Sequence, residues 1–353
     1  MKAYVLQDIG DMRLKEVKKP VPGEGEVIVR VRACGICGSD IPRIYADGAH
    51  KMPVIPGHEF SGEVTEVGRE ADERLLYKRV GVFPLIPCGR CAACRKGKYE
   101  LCRDYSYLGS RRDGGFAEYA AVPAANVTVL PDSVTYEEAA MLEPMAVAVH
   151  AMRRVLPCRE DRKERVAVCG LGSIGLLLVM FLKEAGYQDI YVIGNKDYQR
   201  ECVKKAGVME NSFCDSRKEN VREWLMERTD GGGADVFFEC VGKNETVSQA
   251  IDLTGAAGSV CLVGNPYGDM VLKKGVYWKI LRNQLKVTGT WNSSFTGDEG
   301  DDWNYVIKRL KEKRIDAAGL IVHRFPLEGL TEGFGIMKDK TEDYIKIMGI
   351  FGD

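Results

Sequence analysis

The chain has 353 residues, enough to bury two hydrophobic cores, and its 45% hydrophobic and 29% charged content is that of an ordinary globular protein. A formal net charge of −1, with Lys and Arg spread along the whole length, leaves no basic footprint for nucleic acid or an anionic membrane. No apolar run reaches membrane-spanning length, and Met1-Lys2-Ala3-Tyr4 reads as the start of a strand rather than of a signal peptide, so the expected compartment is the cytoplasm. Twelve cysteines in a chain of this length point to metal binding or reduced thiols rather than to a disulfide framework.

Residues 1–33 alternate short β-rich runs with Pro and Gly turns, as antiparallel strands do. Residues 34–63 then carry Cys37, His58 and Glu59 among several glycines. A thiolate, an imidazole and a carboxylate are the ligand types of a catalytic zinc, which keeps one position open. A single cysteine and a single histidine are equally what a packed core or a surface contains, and spacing alone does not separate the readings. Strand character resumes at residues 60–67 and 78–83.

Cys88, Cys91, Cys94 and Cys102 follow with spacings x2, x2 and x7. Four thiolates enclose Zn²⁺ tetrahedrally, close it to chemistry and pin a loop too polar to hold itself. Residues 109–119 are expected to return to strand. Residues 136–156 have helical periodicity, with Glu143 set in an otherwise apolar stretch. A carboxylate there is costly unless paired or metal-bound, which makes Glu143 a candidate fourth ligand. His150, further along, reads as a satisfied core histidine.

From Arg165 the character changes. Gly170-Leu171-Gly172-Ser173-Ile174-Gly175 follows a short apolar strand and opens a helix, the context in which Gly-x-Gly-x-x-Gly means dinucleotide binding. The first glycines make the turn and admit the pyrophosphate, and the third lets helix pack on strand. Strands at 189–193, 235–241, 258–264 and 286–291 alternate with helices, as in a doubly wound parallel sheet. The remainder reads helix then strand.

Taken together and in this order, the zinc-ligand stretch, the four-cysteine loop, Glu143-Pro144 and the nucleotide fingerprint resemble the zinc-dependent medium-chain dehydrogenases over the whole chain. The resemblance implies an α/β protein: a GroES-like β-rich catalytic domain over residues 1–149 and 290–353, and a Rossmann domain over 150–289. Within the family the match is to polyol dehydrogenases, especially the galactitol-phosphate branch. It is carried by Cys37-Gly-Ser-Asp-Ile-Pro-Arg-Ile-Tyr45, Asp47-Gly-Ala-His50, residues 109–119, and Gly289-Thr-Trp-Asn-Ser-Ser294. Carried over, Cys37, His58 and Glu59 would hold the catalytic zinc, with Glu143 joining directly or through water, and Ser39 would pass on the proton of the reacting hydroxyl. Five residues after the cysteine many relatives carry a proton-relaying histidine, and Pro42 in its place puts the exit route in doubt.

The implied reaction is hydride transfer between a nicotinamide cofactor and a secondary hydroxyl of a sugar alcohol phosphate. Unphosphorylated polyols, ribulose 5-phosphate and a non-enzymatic zinc or nucleotide-binding role are the alternatives. Arg43, Arg111, Arg112 and Asn292 lie on stretches that line the family's substrate cleft, and an arginine fork matches phosphate oxygens; solvated surface positions are the bland reading of Arg111 and Arg112. Two zinc ions per chain and a homodimer or homotetramer are implied as well. The acidic residue that NAD enzymes place after the second strand is missing. Asn195 and Lys196 stand there behind Gly194, which favours NADP, while Asn195 or Asp197 can still serve a ribose.

Overall fold

The computed structural model describes residues 1–156 and 162–352. The chain divides into two compact units, Met1–Pro144 together with the chain from Ser294 onward, and Met145–Ser293. No helix among the described residues is long and apolar enough to cross a membrane.

The first unit opens with an antiparallel ribbon of β1 (Lys2–Asp8) and β2 (Asp11–Glu16). There follow β3 (Glu26–Ile36), α1 (Asp40–Tyr45), β4 (Glu59–Val67), β5 (Arg79–Val82), β6 (Leu85–Ile86), β7 (Ser106–Tyr107), β8 (Tyr119–Pro123) and β9 (Val127–Val129). Two helices, α2 (Tyr136–Ala140) and α3 (Leu142–Val155), occupy the stretch expected as one. Thr135 and Glu138 cap α2 reciprocally: the Thr135 hydroxyl accepts from the Glu138 N–H at 3.1 Å, and the Glu138 carboxylate accepts from the Thr135 N–H at 2.7 Å. Pro144 falls in the first turn of α3, where its missing N–H has no intrahelical partner to lose.

The second unit alternates strand and helix without exception: β10 (Val166–Cys169), α4 (Ser173–Glu184), β11 (Ile190–Gly194), α5 (Asp197–Lys205), β12 (Phe213–Asp215), α6 (Val221–Arg228), β13 (Ala234–Glu239), α7 (Asn244–Leu253), β14 (Thr254–Leu262), α8 (Lys274–Arg282) and β15 (Lys286–Gly289). All six strands are parallel, in the order β12-β11-β10-β13-β14-β15. That is the 3-2-1-4-5-6 order of a Rossmann sheet, with its reversal between β10 and β13, where such sheets take their ligands. Val166 and Val168 of β10 are fully buried, each contributing about 2 kcal/mol by leaving water. A strand covered on both faces has to read as a continuous apolar run, and this one does.

The chain then returns to the first unit through α9 (Asp302–Lys311), β16 (Ile321–Phe325), α10 (Leu330–Asp339) and β17 (Lys346–Ile350). There β17 completes a sheet ordered β16-β17-β3-β4-β5-β9, with β8 also on β3. The core behind it joins β-strand residues such as Val27, Val29 and Phe60, with Phe116 from the turn before β8, to Phe334 and Ile347 from the C-terminal segment.

One expectation holds only at its end. Residues 109–118 are turns and bends with isolated bridges at Arg112 and Ala117, and only Tyr119 joins a strand, β8: Gly109 has φ +84°, and a Cβ on Gly114 would lie 2.0 Å from the Gly57 carbonyl oxygen. A left-handed backbone at Gly109 departs from the extended geometry that a ladder needs.

Candidate functional site

The register of β3 and β4 assembles the first cluster. Gly35 pairs with Glu59, so Cys37, two residues beyond, and His58, one residue before, arrive at the same end of the sheet. On the other side Ile36 pairs with Ile347, which brings Lys346 to the same place. A Cβ on Gly35 would lie 2.4 Å from Glu59 Oε2 and 2.7 Å from Lys346 Cε, so only glycine lets that pair lie across the strand.

Ligand atoms of Cys37, His58 and Glu59 all lie within 4.8 Å of one another. His58 and Glu59 are buried and Cys37 is half-buried. His58 Nδ1 lies 3.4 Å from Asp40 Oδ1, without the alignment of a hydrogen bond. Asp40, fully buried, also accepts the Cys37 N–H at 3.0 Å and pairs with Arg43. Burial would raise the Asp40 carboxyl, but His58 and Arg43 outweigh it and bring it down to about 2. Burial would likewise discharge His58, yet Asp40 and the Cys37 sulfur hold its pKa well above the histidine range. The cluster therefore attracts positive charge at the imidazole, as a cation site does, and a carboxylate behind a ligating histidine is the usual orienting device. Three N, S and O ligands leave a fourth position open, so these residues fit a catalytic zinc.

Glu59 also meets the buried Lys346 ammonium, which donates to the Ile36 carbonyl at 3.1 Å. Burial opposes that charge, and Glu59 followed by Cys37 keeps the Lys346 pKa above its ordinary value. Glu143 stands outside the three-residue cluster. It accepts from the Tyr107 hydroxyl at 3.4 Å, and burial pushes its carboxyl up to about 7, with His58 opposing and Glu59 adding. The Ser39 hydroxyl lies 3.3 Å from Cys37 Sγ. Asp40, Tyr107 and Lys346 escaped the sequence reading. The Asp40 signal was present, three residues after Cys37 on a turn that must become a helix, whereas Lys346 is brought in only by tertiary pairing.

The four-cysteine loop folds into two 3₁₀ turns, Cys94–Lys96 and Tyr99–Leu101. Sulfur separations are 3.5 Å for Cys91–Cys94 and 4.0 Å for both Cys88–Cys94 and Cys91–Cys102. A tetrahedron with metal–sulfur arms of about 2.3 Å has edges of about 3.8 Å, whereas a disulfide needs about 2.05 Å. The spacing thus fits one enclosed metal and excludes paired cystines. The Cys94 N–H on its sulfur helps bring the Cys91 thiol down to about 6, while burial pushes Cys94 up to about 12. His150, half-buried on α3, belongs to neither cluster.

In the second unit, Gly170 has φ +95°, and a Cβ on Gly175 would lie 1.9 Å from the Gly170 carbonyl oxygen. A Cβ on Gly172 would meet nothing, and no side chain caps α4, which starts at Ser173 and Ile174. Open space in front of a helix N-terminus that no side chain caps suits an anionic group such as a pyrophosphate. At the end of β11, Asn195 is exposed and its N–H donates to Gln199 at 3.0 Å. The Lys196 ammonium lies 5.2 Å from the Tyr198 ring centroid. Asp197 is turned to Arg217, which also grips the buried Asp215 carboxylate, both at 2.7 Å.

The remaining substrate candidates separate. Arg43 joins the Cys37 cluster by pairing with Asp40, and Arg111 stacks on Tyr105, which stands edge-on to the Tyr107 beside His58. Arg112 instead pairs with Glu26, the first residue of β3, whose other end leads to Cys37. Asn292, in the second unit, is buried and accepts the Ser293 N–H at 2.8 Å.

Known proteins share both halves. Residues 23–132 match the alcohol dehydrogenase GroES-like domain, and residues 173–312 match the zinc-binding dehydrogenase domain. The chain is 33% identical to galactitol 1-phosphate 5-dehydrogenase of Escherichia coli, over 94% of this chain and 95% of that one. It is 34% identical to L-threonine 3-dehydrogenase of Pyrococcus horikoshii, over 95% and 91% of the two chains. The crystal structure of galactitol-1-phosphate dehydrogenase from Escherichia coli aligns with a TM-score of 0.91 at 32% identity, covering 99% of this chain and all of that one.

Proposed function

The chain belongs to the zinc-dependent alcohol and polyol dehydrogenases of the medium-chain type, and on that premise we propose that it interconverts a sugar alcohol phosphate and the ketose phosphate. It is an oxidoreductase acting on a CH–OH group. In this reading Met1–Pro144 and the chain from Ser294 onward form the catalytic domain, and Met145–Ser293 binds the dinucleotide. Cys37, His58 and Glu59 hold a catalytic zinc, and Cys88, Cys91, Cys94 and Cys102 hold a structural one.

Zinc at the first cluster supplies a Lewis acid that lowers the pKa of the substrate hydroxyl, as it lowers that of water from about 15.7 to about 7, and the nicotinamide supplies the hydride acceptor. Ser39 stands beside Cys37 to take the hydroxyl proton. Asp40 fixes the imidazole of His58 from behind, and Lys346 balances Glu59 so that the cluster does not carry an uncompensated buried carboxylate. Glu143, whose carboxyl burial pushes up, can join the metal or hold a water next to it.

The observation that carries the phosphorylated substrate is a pair of arginines on the Cys37 side of the first unit, Arg43 beside Asp40 and Arg111 with its Nε buried and without a partner. For the cofactor we infer NADP. Arg217 now joins Lys196 at the end of β11, and Asp197, the one carboxylate available to replace the missing acid, is engaged by Arg217. Steady-state rates with NADP and NAD on galactitol 1-phosphate, galactitol, sorbitol, ribulose 5-phosphate and L-threonine test both parts. The expected result is a kcat/KM at least tenfold higher for a phosphorylated polyol and for NADP, about 1.4 kcal/mol in each case. A tenfold preference for an unphosphorylated substrate, or for NAD, overturns the corresponding half.

A homo-oligomer belongs to the same reading. None of the residues of α8 is buried, and Tyr277, Trp278 and Leu281 on it are at least half exposed. Val287 is exposed on β15, which ends the parallel sheet and offers an unpaired edge. Light scattering is expected to return two or four times 39.2 kDa, and a monomer at micromolar concentration would overturn it.

A further inference from the structure

The turn expected as strand sits directly against the residue before His58. A Cβ on Gly109 would lie 2.8 Å from the Gly57 carbonyl oxygen, and one on Gly114 would lie 2.0 Å from it. Between these two stems stand Ser110 and Arg111. The Ser110 carbonyl accepts the Lys51 N–H at 3.2 Å, the Gly114 N–H donates to Ile55 at 2.7 Å, and Asp113 accepts the Ile55 N–H at 2.9 Å. Those bonds fasten the segment that begins at His50 along the Arg111 turn. The Arg111 guanidinium lies 4.7 Å from the Tyr105 ring centroid, Tyr105 stands edge-on to Tyr107 at 6.2 Å, and Tyr107 tilts against His58 at 5.7 Å. Arg43, on α1, pairs with Asp40, which lies 3.4 Å from His58, and its charge, like that of Arg111, acts on His50.

We propose that His50, Arg111 and Arg43 together bind the phosphate monoester of the substrate, with His50 as the third ligand. The inference rests on the polyol-phosphate reading and adds to it a residue and a place. Arg111 Nε is buried without a hydrogen-bond partner, and such a donor costs about 1–3 kcal/mol until an acceptor arrives. Three cationic or donor groups from three separate segments suit the three terminal oxygens of a phosphate, whereas a carboxylate is satisfied by one fork. His50 is exposed, yet slight desolvation, and then the charges of Arg111 and Arg43, hold its imidazole below the ordinary histidine range. Uncharged at neutral pH, it adds no third repelling cation to the free site and still donates a hydrogen bond to the dianion.

The test uses the full chain, with galactitol 1-phosphate against galactitol as substrates and inorganic phosphate as a competitive inhibitor. His50→Gln is expected to lower the kcat/KM ratio of phosphorylated to unphosphorylated substrate about tenfold, through KM, and to weaken phosphate inhibition by a similar factor. His50→Lys is expected to restore both. A ratio and an inhibition constant that do not move with His50→Gln overturn the assignment. So does a fall in kcat shared equally by both substrates, which would make His50 the proton relay missing at Pro42. If the unsubstituted protein neither prefers the phosphorylated polyol nor is inhibited by phosphate, the substrate reading itself falls, an outcome distinct from either of those.

Discussion

Cys37→Ser is expected to lower turnover by about three orders of magnitude or more, some 4 kcal/mol of lost transition-state stabilisation, while the chain still folds. Serine keeps the shape of the side chain, but its hydroxyl does not ionise near neutral pH and is a poor ligand for zinc. The set then falls from three protein ligands to His58 and Glu59, and Glu59 is already shared with Lys346. Cys37 is only half-buried and lies at the end of β3 rather than inside the core, so little packing is lost. Metal analysis should show about one zinc fewer per chain, with a melting temperature within a few degrees of the parent. Retained activity with unchanged metal content would remove Cys37 from the reacting centre.

How much of this was legible in sequence depended on how local each signal is. The Rossmann half was readable because a buried parallel strand must be apolar throughout, as Val166–Cys169 is, and because its glycines sit where backbone geometry forces them. The cysteine loop was readable for the same reason, since its four ligands fall within fifteen residues. The catalytic cluster was legible in its ligand types but not in its support. Lys346 joins Glu59 from far along the chain, through the pairing of β17 with β3, and no local pattern announces that. Residues 109–118 misled because aromatic and alternating residues around glycine mimic a strand, while the left-handed backbone at Gly109 turns the chain instead. Arg111 and Arg112 looked equivalent in sequence. Neighbours on a turn point apart, and only the fold sends one to Tyr105 and the other to Glu26.

Cys94→Ser, by contrast, is expected to destabilise the protein far more than it harms the chemistry of the molecules that remain folded. Cys94 is buried, as are Glu100 and Cys102 of the same loop, and its sulfur lies 3.5 Å from Cys91 and 4.0 Å from Cys88. Around them stand Arg90, Arg95, Lys96 and Lys98, with Leu101 exposed, so the segment has almost no apolar surface of its own to bury. On the proposed reading a metal holds it, and the apparent binding energy of zinc in isolated four-ligand sites is about 10–16 kcal/mol at neutral pH. Part of that energy is spent in ordering the loop. Losing one of four thiolates should therefore cost about 3 kcal/mol or more, and the first unit, which carries the loop, then melts roughly 6–12 °C lower. Zinc content should fall from two per chain toward one, and the loop should become the first site of proteolytic cleavage, at the exposed arginines and lysines it carries. The per-molecule rate of the soluble fraction should stay within a few-fold of the parent, because Cys37, His58 and Glu59 are untouched. A melting temperature and a zinc count that do not change with Cys94→Ser would mean that the four sulfurs are placed for a metal they do not hold.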